Sequence, residues 1–341
     1  MSDLYRIGIV GAGYIADVVA HAIAETEGVQ VVAVASRRPE TALEFGVRHG
    51  GIRAFDHWSD LVSWRGLDAV YVATPTSARE AICIASAERG KHVFAEKPFA
   101  SLRSLESITA ACRANRVAFM DATHFVHHPR TRRLREEVAE RIGQVQAVNS
   151  SFFFPSMDHG NIRFDQAKEP TGAFGDMGWY SIRATAEFAT PGAQLVRSHG
   201  FAQRDEITGT VVRAAGVLLL SDGCTSTWDV GFNTGACLMD LELLGQRGVI
   251  SLDDFVLDWA GGFPVKTPGY PVAFTQRAGV VNPLGFERVV TPSDRRQLVY
   301  TLRHFMALAA NPDGEAAAAS MRITEQTQRL LDGVWSSLTI G

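Results

Sequence analysis

The feature that most restricts the fold of this chain is GIVGAGYIA (residues 8–16), where Gly11-x-Gly13-x-x-Ala16 directly follows the apolar run Arg6–Val10 and opens a helical pattern. A second apolar run, Val29–Ala35, completes a strand–turn–helix–strand unit. Such a unit implies a right-handed crossover between parallel strands, and so a parallel sheet covered by helices on both faces. Gly11 permits the tight turn, Gly13 lets a pyrophosphate reach the backbone, and Ala16 keeps helix and strand close. The N–H groups at the start of the helix favour a bound anion. Gly11, Gly13 and Ala16, with Tyr14 and Ile15 between them, are therefore candidate dinucleotide-binding residues. The alternative, a purely structural glycine-rich turn, fits the surrounding βαβ pattern less well.

The alternation continues with strands expected at Ala69–Ala73, His92–Ala95 and Val117–Met120, and helices after most of them. The second strand runs into AVASRRPE (residues 33–40), where a chain that selects NAD usually carries an Asp or Glu for the ribose hydroxyls. Ser36, Arg37 and Arg38 stand there instead. A hydroxyl and a guanidinium suit a 2′-phosphate, and one charge-assisted contact is worth roughly 1.5–3 kcal/mol. NADP(H) is expected over NAD(H). The plainer alternative is that these arginines face solvent and bind nothing.

A chain of 341 residues exceeds one ordinary domain. After Asp121 the pattern changes: QVQAVNSSFFF, VVRAAGVLLL, CTSTWDVGF, MDLELLG and VISLDDFVLDW are strand-like runs joined by short Gly-, Asp- or Asn-rich turns, which favours an antiparallel sheet. Two helices follow, one near residues 294–310 and a last one with Ile323, Leu330, Leu331, Val334, Trp335 and Leu338 on one stripe. The boundary is placed near residue 122, giving a nucleotide-binding domain over 1–122 and a substrate-binding and dimerisation domain over 123–341. The strand-rich half offers more sheet than its two helices can cover, which points to a homodimer formed through that sheet.

Several function classes are disfavoured. A net charge of −4 recruits neither nucleic acid nor an anionic membrane. No apolar run approaches the roughly 18 residues of a spanning helix, and MSDLYRIGIVGAG lacks the basic and apolar regions of a secretory leader. RTRRLREEVAERIG (residues 130–143) interleaves its acids at helical spacing and reads as a solvated amphipathic helix. Cys83, Cys112, Cys224 and Cys237 are far apart and form no C-x-x-C, as expected of reduced packing residues in a cytoplasmic protein.

Two further segments carry chemistry-bearing residues. HVFAEKPFA (residues 92–100) puts Glu96, Lys97 and Pro98 directly after an apolar strand. A simple strand-to-helix turn explains it equally well, with Ser101 as the helix cap and Lys97 reaching water. TGAFGDMGWYSIRATAEFA (residues 171–189) places Asp176 and Tyr180 four apart on one helix face, with Arg183 a turn further along. From spacing alone, a first-turn acid and an amphipathic packing residue is the simpler description.

Together, GIVGAGYIA, AEKPFA and GDMGWY resemble the glucose-fructose oxidoreductase and inositol dehydrogenase family, Gfo/Idh/MocA, over nearly the whole chain. FMDATHFVHHPRTRRLRE and GDMGWYSIRA are similar to its branch near the dimeric dihydrodiol and xylose dehydrogenases. The resemblance implies an α/β fold: an N-terminal Rossmann domain, a C-terminal α+β domain with a large open, mostly antiparallel sheet, and an active site between them. It implies that Lys97 sits beside the nicotinamide and contacts the reacting oxygen, that Glu96 helps place this loop, and that Pro98 fixes its exit. Asp176 and Tyr180 match the family's D-x-x-x-H/Y pair. Thr74 and Pro75 match its T-P loop, although Arg79 stands where many relatives have His. Arg163 matches an arginine often preceded by Trp, here Ile162. His124, His127 and His128 follow the sixth strand, in reach of the pocket. The family chemistry needs no metal, and none is expected.

The expected reaction is hydride transfer between NADP(H) and a carbonyl or hydroxyl of a sugar-like, cyclic polyol or trans-diol substrate. A phenol of ordinary pKa about 10 is a poor base at neutral pH, and a nearby ammonium lowers it by roughly 1–3 units. Tyr180 is thus the expected acid/base, Lys97 its electrostatic partner, and Asp176 either the holder of a neighbouring substrate hydroxyl or the group that orients the pair. Cofactor contacts are expected from Gly11, Gly13, Tyr14, Ile15, Ala16, Ser36, Arg37, Arg38, Thr74, Pro75, Glu96, Lys97 and Arg163. Substrate contacts are expected from His124, His127, Arg163, Asp176 and Tyr180. Reduction of an imine or conjugated C=N bond is a second enzyme reading, and a non-catalytic NADP(H) sensor a reading of another class; retention of Lys97, Asp176 and Tyr180 argues against the sensor.

Overall fold

A computed structural model describes residues 4–261 and 266–341. Residues 1–3, on which the reading of the chain's start partly rests, lie outside the described residues. The chain divides into two compact units, one ending at Thr123 and taking in Leu298–Glu325, the other formed by His124–Gln297 and Gln326–Gly341.

The first unit is built on a six-stranded sheet of β1 (Tyr5–Val10), β2 (Val29–Ala35), β3 (Arg53–Phe55), β4 (Ala69–Val72), β5 (His92–Ala95) and β6 (Phe119–Asp121). The order is β3-β2-β1-β4-β5-β6, and every pairing is parallel. Five helices connect the strands: α1 (Tyr14–Ala24), α2 (Pro39–Arg48), α3 (Trp58–Ser63), α4 (Thr76–Glu88) and α5 (Leu102–Ala114). β4 is buried along its whole length, as a strand covered on both faces must be. Strand order reverses between β1 and β4, which opens a crevice beyond their carboxyl ends. The edge strand β3 has three residues, too few to show a periodicity in the sequence.

The second unit carries β7 (Val145–Phe153), β8 (Leu195–Arg204), β9 (Val211–Leu220), β10 (Thr225–Gly231), β11 (Leu238–Gly245), β12 (Val249–Leu252), β13 (Ala273–Arg277) and β14 (Glu287–Val290). Together with a final strand, β15 (Leu338–Ile340), they form one sheet in the order β14-β13-β12-β11-β7-β10-β9-β8-β15. Pairing is antiparallel except β7 with β10 and β8 with β15, as expected of a mostly antiparallel sheet. One face buries Val148, Phe152, Trp228, Val230, Leu241 and Leu243. Two helices, α6 (Pro129–Ile142) and α7 (Trp179–Phe188), pack on β7. Asn149, Ser151, Asp240 and Glu242 alternate onto the opposite face. The expected strand VISLDDFVLDW stops at Leu252, because Asp254 and Asp258 turn into buried polar contacts.

Two helices close the chain, α8 (Gln297–Ala310) and α9 (Glu315–Ser336). Within the first unit, Phe305 of α8 stacks on Phe94 at 5.3 Å, and the Thr324 hydroxyl of α9 donates to Asp121 at 2.6 Å. Placing one boundary near residue 122 did not include this return of Leu298–Glu325 to the first unit. Leu338, expected on the last helical stripe, instead begins β15 (Leu338–Ile340), where it lies opposite Gly200 of β8. The sheet edge satisfies the backbone there, with the Gly341 N–H donating to the Ala202 carbonyl at 3.0 Å. All four cysteines are free, and among the described residues no helix is long and apolar enough to cross a membrane.

Candidate active site

The carboxyl end of β1 has the geometry of a dinucleotide loop. Gly11 has φ 108°, and a Cβ added there would lie 2.3 Å from the Ala73 carbonyl oxygen, so only glycine fits. Its N–H donates to the Ala35 carbonyl at 2.9 Å, which sets the loop against the end of β2. Ser36, Arg37 and Arg38 leave from that end, the arginines exposed and the Ser36 hydroxyl accepting the Arg38 N–H at 3.3 Å. Gly13 is the N-cap of α1, has no side-chain cap, and a Cβ on it would meet no atom within 4 Å. Tyr14 is exposed, Ile15 half-buried and Ala16 buried against the strand. Thr74, beside Pro75 at the N-cap of α4, has a buried hydroxyl with no hydrogen-bond partner among the described residues. An uncapped helix start with backbone in the open, next to an orphaned hydroxyl, fits a phosphate-bearing dinucleotide.

The segment after β5 is held from two sides. The Tyr71 hydroxyl of β4 donates to the Glu96 carboxylate at 2.6 Å, and the Glu96 N–H donates to the Val72 carbonyl at 3.0 Å. Across the following cis Lys97–Pro98 peptide, the Pro98 carbonyl accepts from the Arg79 guanidinium, which also donates to the Thr76 hydroxyl at 2.8 Å. Ser101 caps α5 by accepting the Ser104 N–H at 3.1 Å, as a simple turn requires. Lys97, however, is buried rather than extended into water, at 7 % exposure. Arg79, noted in the sequence only as a departure from His, is thus a strut for the Lys97 turn. Its signal was present: Thr76, Arg79, Ile82, Cys83 and Ser86 form the buried stripe of α4.

In the second unit, Phe174–Gly178 forms a π-helical turn leading into α7. Gly172 makes this approach possible, since at φ 51° a Cβ would stand 2.3 Å from the Val211 carbonyl oxygen. The turn presents Asp176, whose carboxylate accepts the Arg163 Nε–H at 2.6 Å. Arg163 comes from the short helical turn Ile162–Phe164, capped by Asn161. Asp176 raises the Arg163 pKa above its already high ordinary value against the opposing effect of burial, and Glu169 and Tyr180 add to the rise. Tyr180 is buried, with its hydroxyl 3.2 Å from His124 Nε2 and the Phe152 ring edge-on at 5.3 Å.

The histidines separate. His124 meets Tyr180, and His127 is half-buried on the same short turn, His124–His127. His128 is the N-cap of α6, its Nδ1 accepting the Arg130 N–H at 3.1 Å. Burial and the Arg130 charge push its pKa down to about 3, so it is neutral and structural. Arg183, expected beyond Tyr180, is bound instead to Glu187 at 2.8 Å. Among the described residues, one group with metal-ligand chemistry lies close together, Asp17, His21 and His49, and there Asp17 is also paired with Arg48 at 3.1 Å. A cavity of about 430 Å³ on the outer sheet face, lined by Asn149, Asp240, Glu242, Asp253 and Arg288 among others, holds none of the expected site residues.

Comparison with known proteins agrees with this geometry. A model of an oxidoreductase family with an NAD-binding Rossmann fold, GFO_IDH_MocA, matches residues 5–123, and a model of the GFO/IDH/MocA C-terminal domain matches residues 131–251. A dTDP-3,4-didehydro-2,6-dideoxy-alpha-D-glucose 3-reductase of Actinomadura kijaniata is 32% identical over 246 residues, covering 71% of this chain and 73% of the relative. The scyllo-inositol 2-dehydrogenase (NADP(+)) IolU of Bacillus subtilis is 28% identical over 259 residues, covering 73% and 76%. The crystal structure of KijD10, a 3-ketoreductase from Actinomadura kijaniata in complex with NADP and TDP-benzene, superimposes with a TM-score of 0.86 over 99% of both chains at 24% identity, which establishes the fold. The glycine loop, the Glu96-Lys97-Pro98 turn, the Asp176–Tyr180 turn and both family models agree: this chain is an oxidoreductase of the Gfo/Idh/MocA family.

Proposed function

We propose that the protein moves a hydride between NADP(H) and a secondary alcohol or carbonyl carbon of a sugar-like, cyclic polyol or trans-diol substrate, with Tyr180 as acid/base and Lys97 as its cationic partner. The observation that carries this is the buried Tyr180 phenol, hydrogen-bonded to an imidazole and beside the Asp176–Arg163 pair. Bound NADP(H) supplies or accepts the hydride. In reduction, Tyr180 gives its proton to the carbonyl oxygen and Lys97 stabilises the developing negative charge. Asp176, fixed by Arg163, accepts a hydrogen bond from a neighbouring substrate hydroxyl.

Ser36, Arg37 and Arg38 hold the 2′-phosphate, with Gly11, Gly13, Tyr14, Ile15, Ala16, Thr74, Pro75 and Glu96 forming the rest of the nucleotide site. Residues 1–122 bind the cofactor; residues 123–341 bind substrate and form a homodimer, in the cytoplasm. Relatives described as acting on scyllo-inositol with NADP(+) and on a dideoxy sugar nucleotide support a hydroxylated ring as substrate. The test is a panel of inositols and aldoses with NADP+, and of keto sugars and cyclic imines with NADPH, followed by cofactor absorbance. Turnover on polyols or keto sugars is expected. Turnover confined to imines contradicts the proposal, and cofactor binding without any turnover supports the sensor instead.

A further inference from the structure

The geometry points to His124 as the residue that takes the Tyr180 proton and returns it during turnover. His124 acts here through Tyr180 and not on substrate, so its role rests on Tyr180 being the acid/base. The Tyr180 hydroxyl and His124 Nε2 are 3.2 Å apart, within hydrogen-bond range, and the two rings lie 5.5 Å apart between centroids. Both side chains are buried, at 7 % and 4 % exposure, so water competes little for this contact. Phe125 and Phe152 wall the phenol.

The chain also clamps the two groups together. The Val126 carbonyl, on the short turn that carries His124, accepts from Arg135 of α6 at 2.7 Å. Arg135 also donates to Glu187 at 2.6 Å, and Glu187 belongs to α7, the helix that bears Tyr180. Arg183 binds the other oxygen of Glu187 at 2.8 Å; these two side chains are buried, while Arg135 reaches them from the surface. One arginine thus joins the histidine turn to the tyrosine helix.

That contact solves a chemical problem. A phenol of ordinary pKa about 10 gives almost no base at neutral pH, whereas a neutral imidazole offers a ring nitrogen able to accept a proton. In alcohol oxidation the carbinol carbon loses hydride to NADP+ and its hydroxyl proton passes to the Tyr180 oxygen. The phenol proton passes at the same time to His124 Nε2, leaving a ketone, NADPH, a neutral phenol and an imidazolium. Reduction runs the same transfers backwards, and no co-reactant beyond NADP(H) is needed. Two cations bear on this pair and oppose imidazolium formation: Lys97, the proposed partner of the phenol, and Arg163, which acts on Tyr180 and is matched by Asp176 at 2.6 Å. On the histidine turn itself stands His127, and the adjoining His128 faces Arg130 and Asp258.

The test is the pH dependence of kcat/KM for NADP+-linked oxidation of scyllo-inositol and D-xylose. His124→Gln keeps an amide oxygen able to accept the phenol hydrogen bond but unable to take the proton; His124→Asn serves if Gln disturbs folding. Expected is a loss of at least about tenfold at neutral pH, with the acid limb displaced upward by more than about one pH unit because Tyr180 must then ionise by itself. NADP+ affinity should stay within a fewfold. A uniform loss with the limb unmoved overturns the role of His124. Full activity in Tyr180→Phe overturns the acid/base assignment itself; an inactive Tyr180→Phe beside an unshifted His124→Gln removes His124 alone. A second arm needs no substrate: in 15N-histidine-labelled protein with NADP+, the His124 titration midpoint should move by at least about 0.3 pH unit in Tyr180→Phe, as coupled sites require. An unchanged midpoint contradicts the coupling.

Discussion

Arg37 and Tyr180 illustrate two kinds of residue-scale evidence. Arg37 is exposed beside Ser36 at the end of β2, and its proposed job is electrostatic, so a charge reversal is the sharpest probe. The parent should bind NADP(H) at least about tenfold tighter than NAD(H), and Arg37→Asp should narrow or reverse that ratio. Equal affinities in low-salt titrations of the parent contradict the assignment. Gly11 was legible from its local strand–turn–helix pattern, whereas Lys97, Asp176 and Tyr180 stood out only through the resemblance carried by three ordered motifs, since spacing alone left a plain turn and a packing residue as adequate readings. The contacts that give them meaning were not legible: Arg163 is thirteen positions from Asp176, and His124 is 56 from Tyr180. Pairings at such separations leave no periodicity behind. Arg79 is an intermediate case, since its place on a buried stripe was readable but its bond to Pro98 was not.

At the scale of elements, the Lys97 turn depends on what braces it. Arg79→Ala should remove the guanidinium's hydrogen bonds to the Thr76 hydroxyl and the Pro98 carbonyl, costing about 1–3 kcal/mol of stability and lowering kcat with it. An unchanged melting temperature and full activity contradict the strut. The N-terminus of α6 offers a pH test. The unfolded chain protonates His128 below about 6.5, whereas the folded chain does so only near 3. The stability it contributes is therefore complete above 6.5 and is lost as pH falls towards 3, at up to about 1.4 kcal/mol per pH unit. Burial raises the carboxyl pKa of neighbouring Asp258, an effect of opposite sign, so the comparison is with His128→Asn, which keeps Asp258 and a cap acceptor. Denaturant melts from pH 7.5 to 4.5 should show a steeper acid loss in the parent; parallel curves contradict it. Long strands with regular alternation, β7, β9, β10 and β11, were legible for the reason that β3, β14 and β15 were not. Strands of three or four residues at a sheet edge are defined by partners rather than by pattern.

On the scale of the molecule, the fold class followed from the change of texture after Asp121. The return of α8 and part of α9 to the first unit did not, because an apolar helical stripe does not say which core it covers. The outer face of the nine-stranded sheet exposes Phe201, Val217 and Leu219 on the paired strands β8 and β9. This apolar surface motivates the proposed homodimer. Light scattering at micromolar concentration should give twice the chain mass, and Val217→Glu should reduce it; a monomeric parent contradicts the assembly. The central claim is that Lys97 and Tyr180 serve one proton-coupled hydride transfer, and a double-variant cycle in kcat/KM on the best substrate tests it most directly. Tyr180→Phe and Lys97→Ala should each lower kcat/KM by roughly 10²–10⁴-fold, the double variant should be little worse than either, and NADPH affinity should stay within a fewfold throughout. Full activity in Tyr180→Phe, or losses that multiply in the double variant, would contradict that claim.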